Sequence, residues 1–204
     1  MQIRTIVPRH IITVTDLLSP RECAELIDRS EDLGYRSSAR PCSDRDDKVP
    51  LPWTPDLLDM ELPVLTDQLW RRVRLAVPEV LGGWAAEGLS GRFRLYRQKP
   101  GQLLRDHKDI PFQEASSCSR MTLLCYLNQD FRGGGTSLRG VAVRPRTGMA
   151  VLLRHELSRT ALRITWGRKY VLRTEVMFRA LPTLELPTGA GRVPPPELVE
   201  GRRP

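Results

Sequence analysis

The chain has 204 residues, of which 40% are hydrophobic and 27% charged, and its 32 Lys plus Arg against 24 Asp plus Glu give a net charge of +8. That length suits one domain with a sizeable core, and no apolar run approaches the ~20 residues that cross a bilayer, so no membrane role is expected. The opening MQIRTIVPRHIITV shows no secretory signal, and Cys23, Cys42, Cys118 and Cys125 form no CxxC pair, which reads as four reduced thiols in a cytoplasmic protein.

In chain order, the β-branched run 11–14 predicts a strand. A helix start follows: Ser19 as cap, Pro20 at the first helical position and Glu22 completing a Ser-x-x-Glu box. Cys23, Leu26, Ile27 and Leu33 recur at helical spacing, and Gly34 can close the helix. The polar, proline-bearing stretch 36–52 reads as a loop. A second helix is predicted within 55–77, with Leu62, Leu65, Leu69, Trp70 and Val73 as its buried stripe and Pro78 as its stop.

From residue 91 the period becomes two, with Phe93 and Leu95 on one face and Arg92, Arg94 and Tyr96 on the other. The segment 120–128, RMTLLCYLN, is apolar on both faces, as a central strand would be. Further strands are predicted at 141–143, 148–153 and 169–178, separated by Gly133-Gly134-Gly135 and the turn 144–148. Short strands with Gly/Pro punctuation indicate a β-sandwich or jelly roll. After Arg179 the chain is rich in Pro and Gly without periodicity, as in a disordered tail. The expected organisation is a single domain over 1–180, with helical N-terminal support over 1–90 and a β core over 91–180, and a tail over 181–204.

His107-Lys108-Asp109 is the first chemical candidate, because alternation along an extended chain lets the imidazole and the carboxylate share one metal. Alone, such a pair is a frequent chance pattern whose plain reading is a solvated loop. It is flanked, however, by Lys99-Pro100-Gly101-Gln102, by the strand 120–128, by Asp130-Phe131-Arg132-Gly133-Gly134-Gly135-Thr136, and by Gly167-Arg168-Lys169 running on to Arg173-Thr174-Glu175-Val176. In this order and spacing the chain resembles the prolyl-4-hydroxylase-like branch of the iron(II) and 2-oxoglutarate-dependent dioxygenases, over about 12–178 and most strongly from 92 onward.

The resemblance implies a mainly β fold with flanking helices, built on a double-stranded β-helix (a cupin-like jelly-roll variant). It implies an oxidoreductase that hydroxylates a small-molecule or peptidyl substrate while 2-oxoglutarate is oxidatively decarboxylated, with Fe(II) as cofactor, 2-oxoglutarate as cosubstrate and ascorbate as an accompanying reductant. By the same resemblance His107 and Asp109 supply two metal ligands, and Lys169 binds the far carboxylate of 2-oxoglutarate. Arg173 shares a strand face with Lys169 and could assist. The plain alternative is that both cations extend to solvent.

One departure stands out. The family's third ligand is a His in a His-Glu-Gly run ten residues before the basic cosubstrate residue, and here that position is Arg159, in Arg159-Thr160-Ala161. His155 lies four residues earlier, about 13 Å of extended chain away, and would reach the metal only through a bulge across 156–159. A guanidinium cannot ligate, but it can hold a carboxylate bidentately. In addition, Gln98 stands where the family often has an aromatic, and Gly135 where it has Glu, while Thr136 is kept.

Two readings follow. In one, an active oxygenase holds iron through His107, Asp109 and either His155 or water. In the other, a pseudo-oxygenase keeps the jelly roll, and Arg159, Lys169 and Arg173 form a cationic cavity for a carboxylate or phosphate. Nucleic acid is not an expected partner: the arginines are dispersed and aromatics make up only 6% of the chain. The stretch 38–52 is placed to cover the pocket, and neither the substrate nor the oligomeric state is legible.

Overall fold

The computed structural model describes residues 1–8, 10–36 and 55–182. The stretch 38–52 expected to cover the pocket, Cys42, and the tail from 183 onward lie outside the described residues.

Strand β1 (Gln2–Val7) pairs antiparallel with β2 (Ile11–Thr15), which leads into helix α1 (Pro20–Leu33). The capping box forms: the Ser19 hydroxyl accepts from the Glu22 amide at 3.2 Å, and the Glu22 carboxylate accepts from the Ser19 amide at 2.8 Å.

The second helix is shorter than expected. Residues 56–61 form strand β3 (Asp56–Glu61), and helix α2 (Pro63–Val73) starts only at Pro63, followed by a 3₁₀ turn (Arg74–Ala76). Cross-strand charge decides the matter. β3 pairs with β6 (Arg92–Gln98) so that Asp56 faces Arg97 and Asp59 faces Arg94, with ion pairs of 2.9 and 3.3 Å. A helix through Asp56 would forfeit both pairs. Strands β4 (Val80–Leu81) and β5 (Trp84–Leu89), like β1, had no periodic signature.

The remaining strands are β7 (Leu104–His107), β8 (Gln113–Glu114), β9 (Ser117–Tyr126), β10 (Arg132–Gly133), β11 (Thr136–Leu138), β12 (Val141–Val143), β13 (Ala150–Arg154), β14 (Arg159–Ala161), β15 (Ile164–Trp166) and β16 (Lys169–Ala180). A large sheet runs β1-β2-β13-β9-β16-β5-β4, and β6 joins β16 beside β5. A small sheet runs β12-β11-β14-β7, and β10 pairs with β15. This is the jelly-roll core anticipated from the strand pattern, with two helices at its flank. The first 90 residues, expected as helical support, thus also contribute β1 to β5, all of them in the large sheet.

Alternation along β9 and β16 separates two cores. Leu123, Cys125, Leu172 and Val176 join Leu17, Leu69 and Val73 in the core under the helices. Leu124, Tyr126 and Val151 meet Leu138 and Val143 of the small sheet in the second core. On β16 the residues alternating with the helix-side set are Lys169, Val171, Arg173 and Glu175, so its charges are turned toward the small sheet. Cys23, Cys118 and Cys125 are free thiols. Among the described residues no helix is long and apolar enough to cross a membrane.

Candidate functional site

β7 delivers His107 to the edge of the small sheet, and β14 lies antiparallel to it with Arg159 opposite His107. Asp109 follows two residues later, buried to 7% exposure, with its Oδ1 3.9 Å from His107 Nε2. The same-side placement expected for the pair is therefore met.

Asp109 is already occupied. Its Oδ1 takes the Arg159 Nη2 at 2.9 Å and the Arg173 Nη2 at 2.9 Å, while its Oδ2 accepts from the Thr122 hydroxyl at 2.7 Å. Arg173 also pairs with Glu175 at 2.9 Å. Burial pushes the Asp109 carboxyl up, but the two guanidinia outweigh it and hold the pKa at about 2. Two buried cations against two buried carboxylates form a self-neutralising network, which is how such charges survive away from water.

His155 lies just past β13, with its amide donating to the Arg120 carbonyl at 3.1 Å. It is 3% exposed, and among the described residues neither ring nitrogen has a hydrogen-bond partner. Burial lowers its pKa to about 4, so the ring is neutral. His155 and Asp109 line one cleft of about 260 Å³, together with Lys108, Arg120, Arg154 and Glu156.

Lys169 sits on the other side of Arg159. It is 1% exposed, its Nζ donates to the Gly134 carbonyl at 2.6 Å and to the Thr136 hydroxyl at 3.4 Å, and the Tyr126 ring centroid is 5.3 Å away. None of these neighbours is a carboxylate. Burial, then the Arg159 charge, lowers the Lys169 pKa to about 7. Lys169, Arg159, Tyr126, Thr136, Gln98 and Tyr96 line a cavity of about 40 Å³, roughly two or three waters in size. Arg159 Nε is buried beside it with no partner among the described residues.

Arg173 is not among the residues lining this cavity; it joins Asp109 instead of Lys169. Gln98 donates to the carbonyls of Gln102 and Leu162 at 3.0 and 3.2 Å, tying the cavity wall to the small-sheet edge. Gly134 aims its carbonyl at Lys169 only because it adopts φ +63, where an added Cβ would lie 2.2 Å from Ile164 Cδ1. Sequence reasoning missed Thr122, Tyr126 and Glu175 as participants. Thr122 was readable as the one polar residue inside the apolar run 121–127, and Glu175 as the carboxylate two positions from Arg173 on one strand face.

No protein-family model matches the sequence, and no curated protein does. Solved structures match the fold. A viral collagen prolyl hydroxylase of Paramecium Bursaria Chlorella virus-1, in complex with 2-oxoglutarate, aligns with TM-score 0.59 and 17% identity over 84% of this chain and 97% of that one. A Pseudomonas putida prolyl-4-hydroxylase aligns with TM-score 0.58 and 19% identity, over 84% and 92%. A Trichoplax adhaerens prolyl hydroxylase, in complex with a peptide fragment of the hypoxia inducible factor oxygen degradation domain, aligns with TM-score 0.60 and 14% identity, over 83% and 84%. The shared property is the fold.

The side chains present do not fit an iron ion. Both oxygens of Asp109 are engaged, two guanidinia stand where a dication would have to approach, and Arg159 offers no lone pair. Among the described residues no group of three or more His, Cys, Asp or Glu side chains is placed to hold a metal.

Proposed function

We propose that this chain is an oxygenase-fold protein that binds a small carboxylate-bearing ligand in the Lys169–Arg159 cavity without a metal. The observation that carries the reading is Lys169: a buried amine with no carboxylate partner among the described residues, facing a cavity it shares with a guanidinium whose Nε is likewise unpartnered among them. A cation buried without a counter-ion is costly, and an anionic ligand offsets that cost. Asp109 cannot serve as the counter-ion, since Arg159 and Arg173 already hold it.

The test is thermal denaturation with 2-oxoglutarate, glutarate and succinate, each with and without a chelator. The expected result is a rise in melting temperature that the chelator leaves unchanged. No rise, or a rise only after iron is added, overturns the reading.

A second reading keeps the oxygenase chemistry: iron held through His107 and Asp109, with His155 as a third donor, 2-oxoglutarate at Lys169 with Arg173 assisting, ascorbate as reductant, and a small-molecule or peptidyl substrate. The fold and the adjacent placement of His107 and Asp109 favour it. It requires Arg159 and Arg173 to release Asp109. Succinate formation from 2-oxoglutarate with added iron(II) and ascorbate is its test, and absence of both turnover and iron uptake removes it. Nucleic acid and membrane remain outside both readings.

A further inference from the structure

Lys169 is one of four lysines in a chain with 28 arginines, and among the described lysines it is the buried one. Its surroundings are those that make an amine a nucleophile rather than a salt-bridge partner. Nζ touches a carbonyl, a hydroxyl and aromatic faces, and the nearest charge that bears on it is the like charge of Arg159. Desolvation and a neighbouring cation are the two devices that activate lysine for attack on carbonyl carbon.

We infer that Lys169 forms an imine with a small 2-oxo acid, whose carboxylate lies against Arg159. This rests on the carboxylate-binding reading above and narrows the ligand to a carbonyl-bearing acid. The neutral amine attacks with its lone pair, and the carbonyl π pair passes to oxygen. The two amine hydrogens leave with that oxygen as water, and a C=N bond replaces C=O; no oxidant or reductant is consumed.

The cavity supplies the parts. The partnerless Arg159 Nε faces the ligand's carboxylate. Thr136 accepts from the Tyr126 hydroxyl at 2.9 Å and from Lys169 at 3.4 Å, which places a hydroxyl pair beside the amine to pass a proton to the departing water. Lowering of the Lys169 pKa to about 7 makes the neutral amine abundant at neutral pH. Since the cavity holds only about 40 Å³, the smallest 2-oxo acids are the best candidates.

The experiment incubates the full chain with glyoxylate, pyruvate or 2-oxoglutarate, reduces with borohydride, and maps the adduct by peptide mass spectrometry. Glycolate, lactate and 2-hydroxyglutarate serve as matched acids without a carbonyl. The expected result is a single reduced adduct on the peptide bearing Lys169, at least tenfold above those on Lys48, Lys99 and Lys108, absent with the hydroxy acids and absent in Lys169→Arg, which keeps the charge. No adduct, or equal labelling of the other lysines, overturns the inference. If the hydroxy acids still raise the melting temperature while no adduct forms, the carboxylate-binding reading survives and the imine alone is lost. If neither is seen, both fall.

Discussion

Arg159 stands across the β7–β14 ladder from His107 and donates to Asp109 at 2.9 Å. One side chain therefore occupies the position of the third metal ligand expected from the resemblance and also neutralises one of the other two. The two roles exclude each other: an Asp109 bound by guanidinium is not free to bind a cation.

Substitutions in this network should rank by what they leave unpaired. Asp109→Ala strands the buried Arg159 guanidinium and leaves Arg173 paired with Glu175, and should cost the ~3–5 kcal/mol typical of a broken buried pair. Arg159→Ala leaves Asp109 with Arg173 and Thr122 and should cost less. Urea denaturation of the two variants checks the order, and an inverted order would mean that Asp109 is not the hub.

Arg159→His removes the guanidinium and places an imidazole opposite His107 in the ladder. Iron(II) affinity, measured by titration, should rise at least tenfold over the parent chain. An unchanged affinity would show that Arg173 alone keeps the metal out.

Acid should destabilise the fold in two stages. His155 is lowered to about 4 in the folded chain against ~6.5 unfolded, so the unfolded state takes the proton first. Its contribution is present above pH ~6.5 and lost as the pH falls toward 4, about 3 kcal/mol in all. Asp109, held at about 2 against ~3.9 unfolded, contributes above pH ~4 and loses about 3 kcal/mol as the pH falls toward 2. Denaturation midpoints measured from pH 8 to pH 2 should show both, and His155→Phe should abolish only the first.

Lys169 acts with the same sign in a more alkaline window. Its folded pKa of about 7 lies below the ~10.4 of the unfolded chain, so its burial costs stability near neutrality and the cost fades as the pH rises. Lys169→Met should therefore raise the melting temperature at pH 7 while abolishing the shift given by carboxylate ligands. A fall in both would instead mark Lys169 as a structural strut.

Gly134→Ala forces a side chain into φ +63 and against Ile164, which should cost of order 1–3 kcal/mol and pull the carbonyl away from Lys169. Carboxylate-dependent stabilisation should weaken more than the fold itself does. Equal loss of both would show that the carbonyl contributes nothing to the site.

What was legible in the sequence was what is local. The Ser19–Glu22 box, the alternation around Phe93 and Leu95 and the apolar β9 each depend on neighbours within a few residues, and each forms. Asp56–Glu61 was read as helix because its strand state depends on Arg94 and Arg97, 35 and more residues away. The short strands β7, β11 and β14 carry too few residues for a period to show, yet they hold half of the site. The Arg159 position was readable from its spacing to Lys169. The partner of Arg173 was not: strand alternation sets the face, and only the fold of the 107–109 segment brings Asp109 to it, 64 residues away in the chain.

β16, with Lys169 and Arg173 on it, pairs with β9 along most of its length and with β6 and β5 on its other edge, yet it is the last described strand. On the ribosome, β5, β6 and β9 must wait with open edges until residues 169–180 emerge. Assembly of the pocket and closure of the large sheet are thus one event in time, and a nascent chain stopped before β16 has neither.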